Sequence, residues 1–278
     1  MVHKERKMIG LKGLYLNSPK AVKILVQSVL IVFFSFFGCF LFAEELSISS
    51  LPTNGKLVQG SAEIKTLLSR MDINQQTDKV ILGWDTFDIG SSAQVNFNQP
   101  SASSVALNRV QSTNPSKIYG QLTSNGQVFL QNPGGVIFGK GAQVDVGGLV
   151  ATTMDIKNDD FNKGLAKFST EQKGSIVNEG DIQGDYVALM ATDVQNDGSI
   201  KARLGSVALV SGDNAELTFG EGGTLSVTVR SSRLKNTIEN TGGIYAENGS
   251  VILKASAVQS LVEQTIASPQ GAKKMVSE

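Results

Sequence analysis

Side chains able to activate a nucleophile or hold a soft metal are almost absent from this sequence. Its one histidine is His3 and its one cysteine is Cys39, both within the first 43 of 278 residues. Beyond them no Ser-His-Asp or Cys-His system can be assembled, because the base or the thiol is missing. Zinc sites built on His or Cys are excluded for the same reason. Carboxylates remain, but they do not gather. Asp193, Asn196 and Asp197 lack the ligand spacing of a calcium loop, and Gly139-Lys140-Gly141 lacks the spacing and the helix of a phosphate loop. No catalytic residue, metal site or cofactor is expected, and the chain is not read as an enzyme.

What must be positioned is therefore a surface, and the charge pattern says where the chain works. Ile24 to Phe42 form one almost uncharged apolar run, preceded by Lys4, Arg6, Lys7, Lys12, Lys20 and Lys23 against the single acid Glu5. A basic leader, an apolar stretch and then Ala43 ahead of Glu44-Glu45 read as a secretory signal peptide over residues 1–43. A retained membrane anchor is the competing reading, since a run of this length can just span a bilayer. A lipoprotein signal at Cys39 is a weaker one. Residues 44–278 then carry 19 basic and 24 acidic side chains. An acidic balance without basic clusters argues against nucleic acid or an anionic membrane as partner. Without cysteine the exported part forms no disulfide, although its compartment would allow one, and it stays threadable.

The exported part repeats itself. Asn-x-Gly-x-Ile recurs at Asn178-Gly180-Ile182, Asn196-Gly198-Ile200 and Asn240-Gly242-Ile244. Each leads into an alternating run, Tyr186 to Leu189, Ser206 to Leu209 and Ser250 to Leu253. Such a unit cannot bury its apolar face alone, but stacked units share one core. Val187/Leu189, Val207/Leu209 and Val251/Leu253 are expected to point inward and the residue between each pair outward. At about 20 residues per coil and about 4.8 Å per strand, the domain would make about ten coils over roughly 50 Å. Asn196 to Asn240 leaves room for two coils on this count. The asparagines could stack as a hydrogen-bonded ladder, although turn chemistry alone is the favoured reading. The glycine two residues on is expected to supply a φ > 0 corner. The segment from Leu46 to about Val80 repeats less and should contain a cap, because a solenoid end exposes unpaired strand backbone. No cap is evident at the other end.

The central block carries a more specific signature. It runs through Trp84-Asp85-Thr86-Phe87-Asp88-Ile89-Gly90, Val105-Ala106-Leu107-Asn108-Arg109-Val110, Pro115-Ser116-Lys117-Ile118-Tyr119-Gly120, and Asn125 to Gly139 around Asn132-Pro133-Gly134-Gly135-Val136. It closes on Val146 to Ile156. In order and spacing this resembles the secretion domain of two-partner-secretion exoproteins, the haemagglutination activity domain of filamentous haemagglutinins, from about Leu51 to Ile266. The resemblance implies an all-β fold, a right-handed parallel β-helix with an N-terminal cap, over residues 44–266. Residues 267–278 read as a polar tail and a possible truncation point.

The resemblance also implies partners. These are the Sec machinery at the inner membrane, then the periplasmic POTRA repeats of an outer-membrane β-barrel transporter. The destination is the surface of a Gram-negative cell or the medium, with host or neighbouring-cell receptors possible and no nucleic acid. The family's Asn-Pro-Asn-Gly-Ile falls on Asn132, Pro133, Gly134, Gly135 and Val136, with Gly in place of the central Asn and Val in place of Ile. Pro fixes φ and the two Gly permit a left-handed corner. A purely structural turn and a direct transporter contact both remain open there. Asn108, Arg109, Pro115 and Ser116 are further family-motif residues. Arg109 is read as a paired structural charge, and Trp84 and Phe87 as core. The function implied is that of a haemagglutinin- or adhesin-type exoprotein or its N-terminal part. The alternatives are a short self-contained adhesin and, far behind, a β-helical carbohydrate-active enzyme.

Overall fold

The computed structural model describes residues 46–232 and 236–256, together with the short strands Leu261–Gln264 and Lys274–Met275. The expected signal peptide and most of the expected tail lie outside the described residues. The strand Lys274–Met275, inside that tail, pairs in parallel with Val251–Ala255.

The chain winds through three sheets in turn. The first face holds Lys79–Trp84, Val105–Val110, Gln127–Gln131, Gly148–Thr152, Val187–Ala191, Val207–Ser211 and Val251–Ala255, all parallel to one another. From there the chain turns onto a second face (Ser116–Ile118, Val136–Phe138, Ser175–Asn178, Asp193–Asn196, Thr237–Asn240). It then passes to a third (Gln94–Asn98, Gln121–Ser124, Gln143–Asp145, Asp181–Gly184, Ser199–Ala202, Gly243–Ala246). Register is kept from coil to coil. On the first face Val80, Ala106, Val128, Leu149, Val187, Val207 and Val251 form one column of paired positions. The protein is a parallel β-helix. Its N-terminal end is closed by antiparallel strands: Lys56–Gln59 lies along Lys79–Trp84, and Ala62–Leu67 folds back on Arg70–Gln75.

The inward positions are as alternation predicts, with Val187, Leu189, Val207 and Leu209 fully buried. The outward positions are buried too. Ala188, Met190, Ala208 and Val210 are each 0% exposed. They are covered by a second layer, an antiparallel sheet of Asp155–Ile156, Ala166–Ser169, Asn214–Phe219 and Leu225–Arg230 with the short helix Asn158–Asn162. This layer corrects the coil count. Asn196 and Asn240 are 44 residues apart and yet directly paired neighbours, so the interval holds one coil plus an outer hairpin, not two coils. The first face has eight parallel strands among the described residues, not ten, because such excursions consume chain without adding height.

The repeat asparagines do both things considered for them. Asn178 Nδ2 donates to Asn196 Oδ1 at 2.7 Å, and Asn196 Nδ2 to Asn240 Oδ1 at 2.7 Å, all three buried. Asn178 Oδ1 also accepts the Gly180 amide at 3.1 Å, an Asx turn. The glycines are needed for a different reason from the one expected. Gly180, Gly198 and Gly242 are not left-handed. They stack, and a Cβ on Gly198 would lie 2.2 Å from the Gly180 carbonyl oxygen, one on Gly242 2.0 Å from that of Gly198. Gly198→Ala is expected to cost about 1–3 kcal/mol, because the obstacle is backbone and cannot swing aside. Urea denaturation followed by the emission of the one tryptophan, Trp84, measures it.

Candidate functional site

The signature turn lies where the chain leaves Gln127–Gln131 on the first face for Val136–Phe138 on the second. The Gly135 amide donates to the Asn132 carbonyl at 3.0 Å, closing a four-residue turn with Pro133 at its second position, where a fixed φ suits it. Asn132 organises the surroundings. Its Oδ1 accepts the Gly134 amide at 2.8 Å, while its Nδ2 donates to the Asn114 carbonyl (3.1 Å) and to Ser116 Oγ (2.9 Å). Its amide donates to the Thr152 carbonyl at 2.9 Å, tying the turn to the next coil. Val136 is fully buried between Ser116 and Ile176 in the second sheet.

Only one of the two glycines is left-handed, Gly135 at φ 113°. Gly134 is there for space, because a Cβ on it would lie 2.5 Å from the Thr113 carbonyl oxygen. Gly134→Asn would restore the family's central residue. It is nevertheless expected to destabilise this chain by about 1–3 kcal/mol through backbone displacement, read as a lower denaturation midpoint. A midpoint equal to or above that of the parent would show that the 113–114 segment yields freely.

The candidate residues separate into distinct places. Ser116 and Pro115 join the Asn132 turn. Asn108 is inside the core, accepting Trp84 Nε1 at 3.0 Å and donating to the Ala106 and Phe129 carbonyls. Its neighbour Arg109 points outward, bonding Asn158 Oδ1 at 2.7 Å and the Ile156 carbonyl, with Asp155 at 3.4 Å. Arg109 thereby fastens the outer layer to the first face. Asn178, Asn196 and Asn240 occupy another corner, between the second and third faces, and Phe138 rather than Asn132 continues their column downward. Trp84 and Phe87 pack edge to face at 5.5 Å in the core.

Other organising residues gave no motif in the sequence. Arg203 bonds Asp145 (2.5 Å), Asp185 (3.2 Å) and the Val146 carbonyl (2.7 Å), joining separate coils. Tyr186 crosses above Gly148 to donate to Gln127 Oε1 at 2.7 Å, and burial holds its hydroxyl well above the usual phenol range. Among the described residues no three His, Cys, Asp or Glu side chains converge as metal ligands.

These features define a class: a stacking module, a β-helix whose marked residues hold coils to coils and an outer sheet to the helix. The model of the TPS secretion domain matches residues 48–275, and the chain belongs to that family, the secretion domains of two-partner-secretion exoproteins. It is 38% identical over 224 residues to a heme/hemopexin-binding protein of Haemophilus influenzae, covering 77% of this chain and 24% of that protein. A second heme/hemopexin-binding protein of that species is 41% identical over 140 residues, covering 50% of this chain and 15% of that one. The chain thus spans about a quarter or less of the curated relatives it matches. The crystal structure of the HMW1 secretion domain of Haemophilus influenzae superposes with a TM-score of 0.65 at 26% identity, covering 76% of this chain and 66% of that one.

Proposed function

We propose that this chain is the secretion module of a surface exoprotein of the haemagglutinin or adhesin type. It crosses the inner membrane by the Sec route and is recognised by the POTRA repeats of a cognate outer-membrane β-barrel. It then folds outside the cell. The observation that carries this reading is the burial of the signature turn. Asn132, Gly135 and Val136 are buried, while Pro133 and Gly134 are half-buried. In the folded domain a partner could not read the Asn132 amide without breaking its bonds to Asn114 and Ser116. Before folding those groups are free, so recognition at this motif belongs to the unfolded chain. An extended segment could dock by adding a strand to a sheet edge of the transporter. Folding then opposes back-sliding, since each coil is stabilised by the one before it.

The test is secretion of the tagged full-length chain with and without a candidate transporter. Transporter-dependent appearance in the medium is expected, and retention in the cell with every cognate candidate would sink the reading. A second reading follows from the two relatives: the exoprotein captures haem or a haem-carrying protein. His3 and Cys39 both belong to the leader, so this module offers no imidazole or thiolate to iron. Of the two, contact with a carrier protein's surface is the version this module can test directly. Capture of purified hemopexin by the immobilised exported chain would support it.

A further inference from the structure

On the third face the outward side chains stand in two columns along the helix axis. Gln121, Gln143, Asp181 and Ser199 form one, and Thr123, Asp145, Gln183 and Lys201 form the other, in unbroken parallel register. The residues between the columns turn inward, and Leu122, Val144, Ile182 and Ile200 are all buried. Backbone is therefore the floor of a straight trough, which holds a cavity of about 450 Å³. On the next coil Gly243 follows Ser199 and Tyr245 follows Lys201. A Cβ on Gly243 would lie 2.9 Å from Tyr245 Cε2, so the ring lies across the glycine, between the two columns, and is 43% exposed. Most of the wall charge is matched within the protein, Asp145 by Arg203 at 2.5 Å and Lys201 by Glu247 at 2.7 Å. Asp181, Gln183 and Ser199 also line the trough, and no group among the described residues bonds their side chains.

We propose that this trough binds a straight, neutral oligosaccharide lying along the helix axis, with one sugar ring stacked on Tyr245. The wall chemistry selects hydroxyl groups, because amides and hydroxyls both donate and accept, as sugar hydroxyls do. Spacing selects a glycan over a peptide. Successive coils present their side chains about 4.8 Å apart, and a β-1,4-linked hexose unit advances by nearly the same distance. An extended peptide advances about 3.3 Å per residue and falls out of step. It would also find no strand edge to pair with on a sheet face. Charge selects a neutral chain, since Asp181 repels an anion and the one wall cation already faces Glu247. The tyrosine ring has a negative face, which attracts the slightly positive C–H groups of a pyranose. The five coils from Gln121 to Gly243 span about 19 Å, room for a tetrasaccharide. The site belongs to the folded domain, so the proposal goes beyond export and does not rest on transporter recognition.

The test is an NMR titration of the 15N-labelled exported chain with three straight neutral probes, cellotetraose, mannotetraose and chitotetraose. Curved maltotetraose, anionic tetragalacturonate and a tetraserine amide serve as comparators. Saturable shifts are expected with at least one straight neutral probe at the Gln143 and Gln183 side-chain amides and at the Ser199 and Tyr245 backbone amides. The comparators should bind more weakly. Gln183→Ala should weaken binding roughly fivefold and Tyr245→Ala roughly tenfold, while Tyr245→Phe keeps the ring and the affinity. Gln183 is exposed, so its substitution should leave the denaturation midpoint unchanged. No saturable shift with any straight neutral probe would overturn the proposal. So would a comparator binding as tightly, or affinity unchanged in both alanine variants.

Discussion

Phe129→Ala is expected to loosen the outer sheet while the β-helix beneath it stays closed. Phe129 points outward from Gln127–Gln131 and is 5% exposed. Its ring meets Phe161 at 6.2 Å, Phe168 at 6.4 Å and Phe219 at 6.2 Å. Those three rings come from the short helix, from Ala166–Ser169 and from the outer hairpin, so one side chain is the shared anchor of three separate segments. Truncating a buried phenylalanine costs about 3–5 kcal/mol, the spread depending on how far the site can collapse. Collapse is difficult here, because the floor is a hydrogen-bonded sheet. The neighbours on the same strand, Val128 and Leu130, belong to the inner core and lose nothing. Amide exchange should therefore quicken across Ala166–Ser169 and Asn214–Arg230 while Val187–Ala191 remains protected. Equal acceleration in both layers would mean that the two cores unfold as one unit.

The inner layer was legible because its pattern has one physical cause. Val187 and Leu189 must face the core, their counterparts in later coils must do the same, and the spacing of the asparagines exposes the repeat. The outer layer was not legible by that logic. Asn214–Phe219 and Leu225–Arg230 alternate just as a coil strand does, so the 44 residues between Asn196 and Asn240 looked like additional coils. Two signals pointed the other way. Gly220-Glu221-Gly222-Gly223 between two alternating runs is hairpin punctuation, and Gly222 and Gly223 do take positive φ. Val187-Ala188-Leu189-Met190-Ala191 is apolar throughout, which is how a strand buried on both faces reads. At the turn, residue types disclosed the Asn-Pro corner, but the crowding that demands Gly134 comes from Thr113 in the preceding coil and has no sequence signature.

Asn196→Ala is the most severe single truncation available in the ladder. The residue is fully buried, donating to Asn240 Oδ1 and accepting from Asn178 Nδ2, both at 2.7 Å. Removing it strands the Asn178 donor on the coil before and the Asn240 acceptor on the coil after. Each orphan costs about 1–3 kcal/mol, so a loss of about 2–6 kcal/mol in urea denaturation is expected. Asn196→Asp separates hydrogen bonding from shape. Its carboxylate still accepts from Asn178, but it turns a second acceptor toward Asn240 and buries a charge, so it should be at least as unstable as the alanine variant at neutral pH. Burial and the facing carbonyl raise the folded-state pKa of that carboxyl above its unfolded value of about 3.9. The native state therefore binds the proton more tightly than the unfolded chain. Stability relative to the parent should recover as pH falls from neutral toward that range, when the protonated oxygen donates to Asn240 and the ladder closes again. A deficit independent of pH would mean that the rung is held by packing alone. The ladder also differs from the Phe129 cluster in what it joins. Its rungs link successive coils, whereas the aromatic cluster fastens a layer onto coils already stacked. If outward folding holds the exported chain against return, Asn196→Ala should lower transporter-dependent yield more than Phe129→Ala at matched loss of stability. Equal yields would place the holding force elsewhere than in coil-to-coil closure.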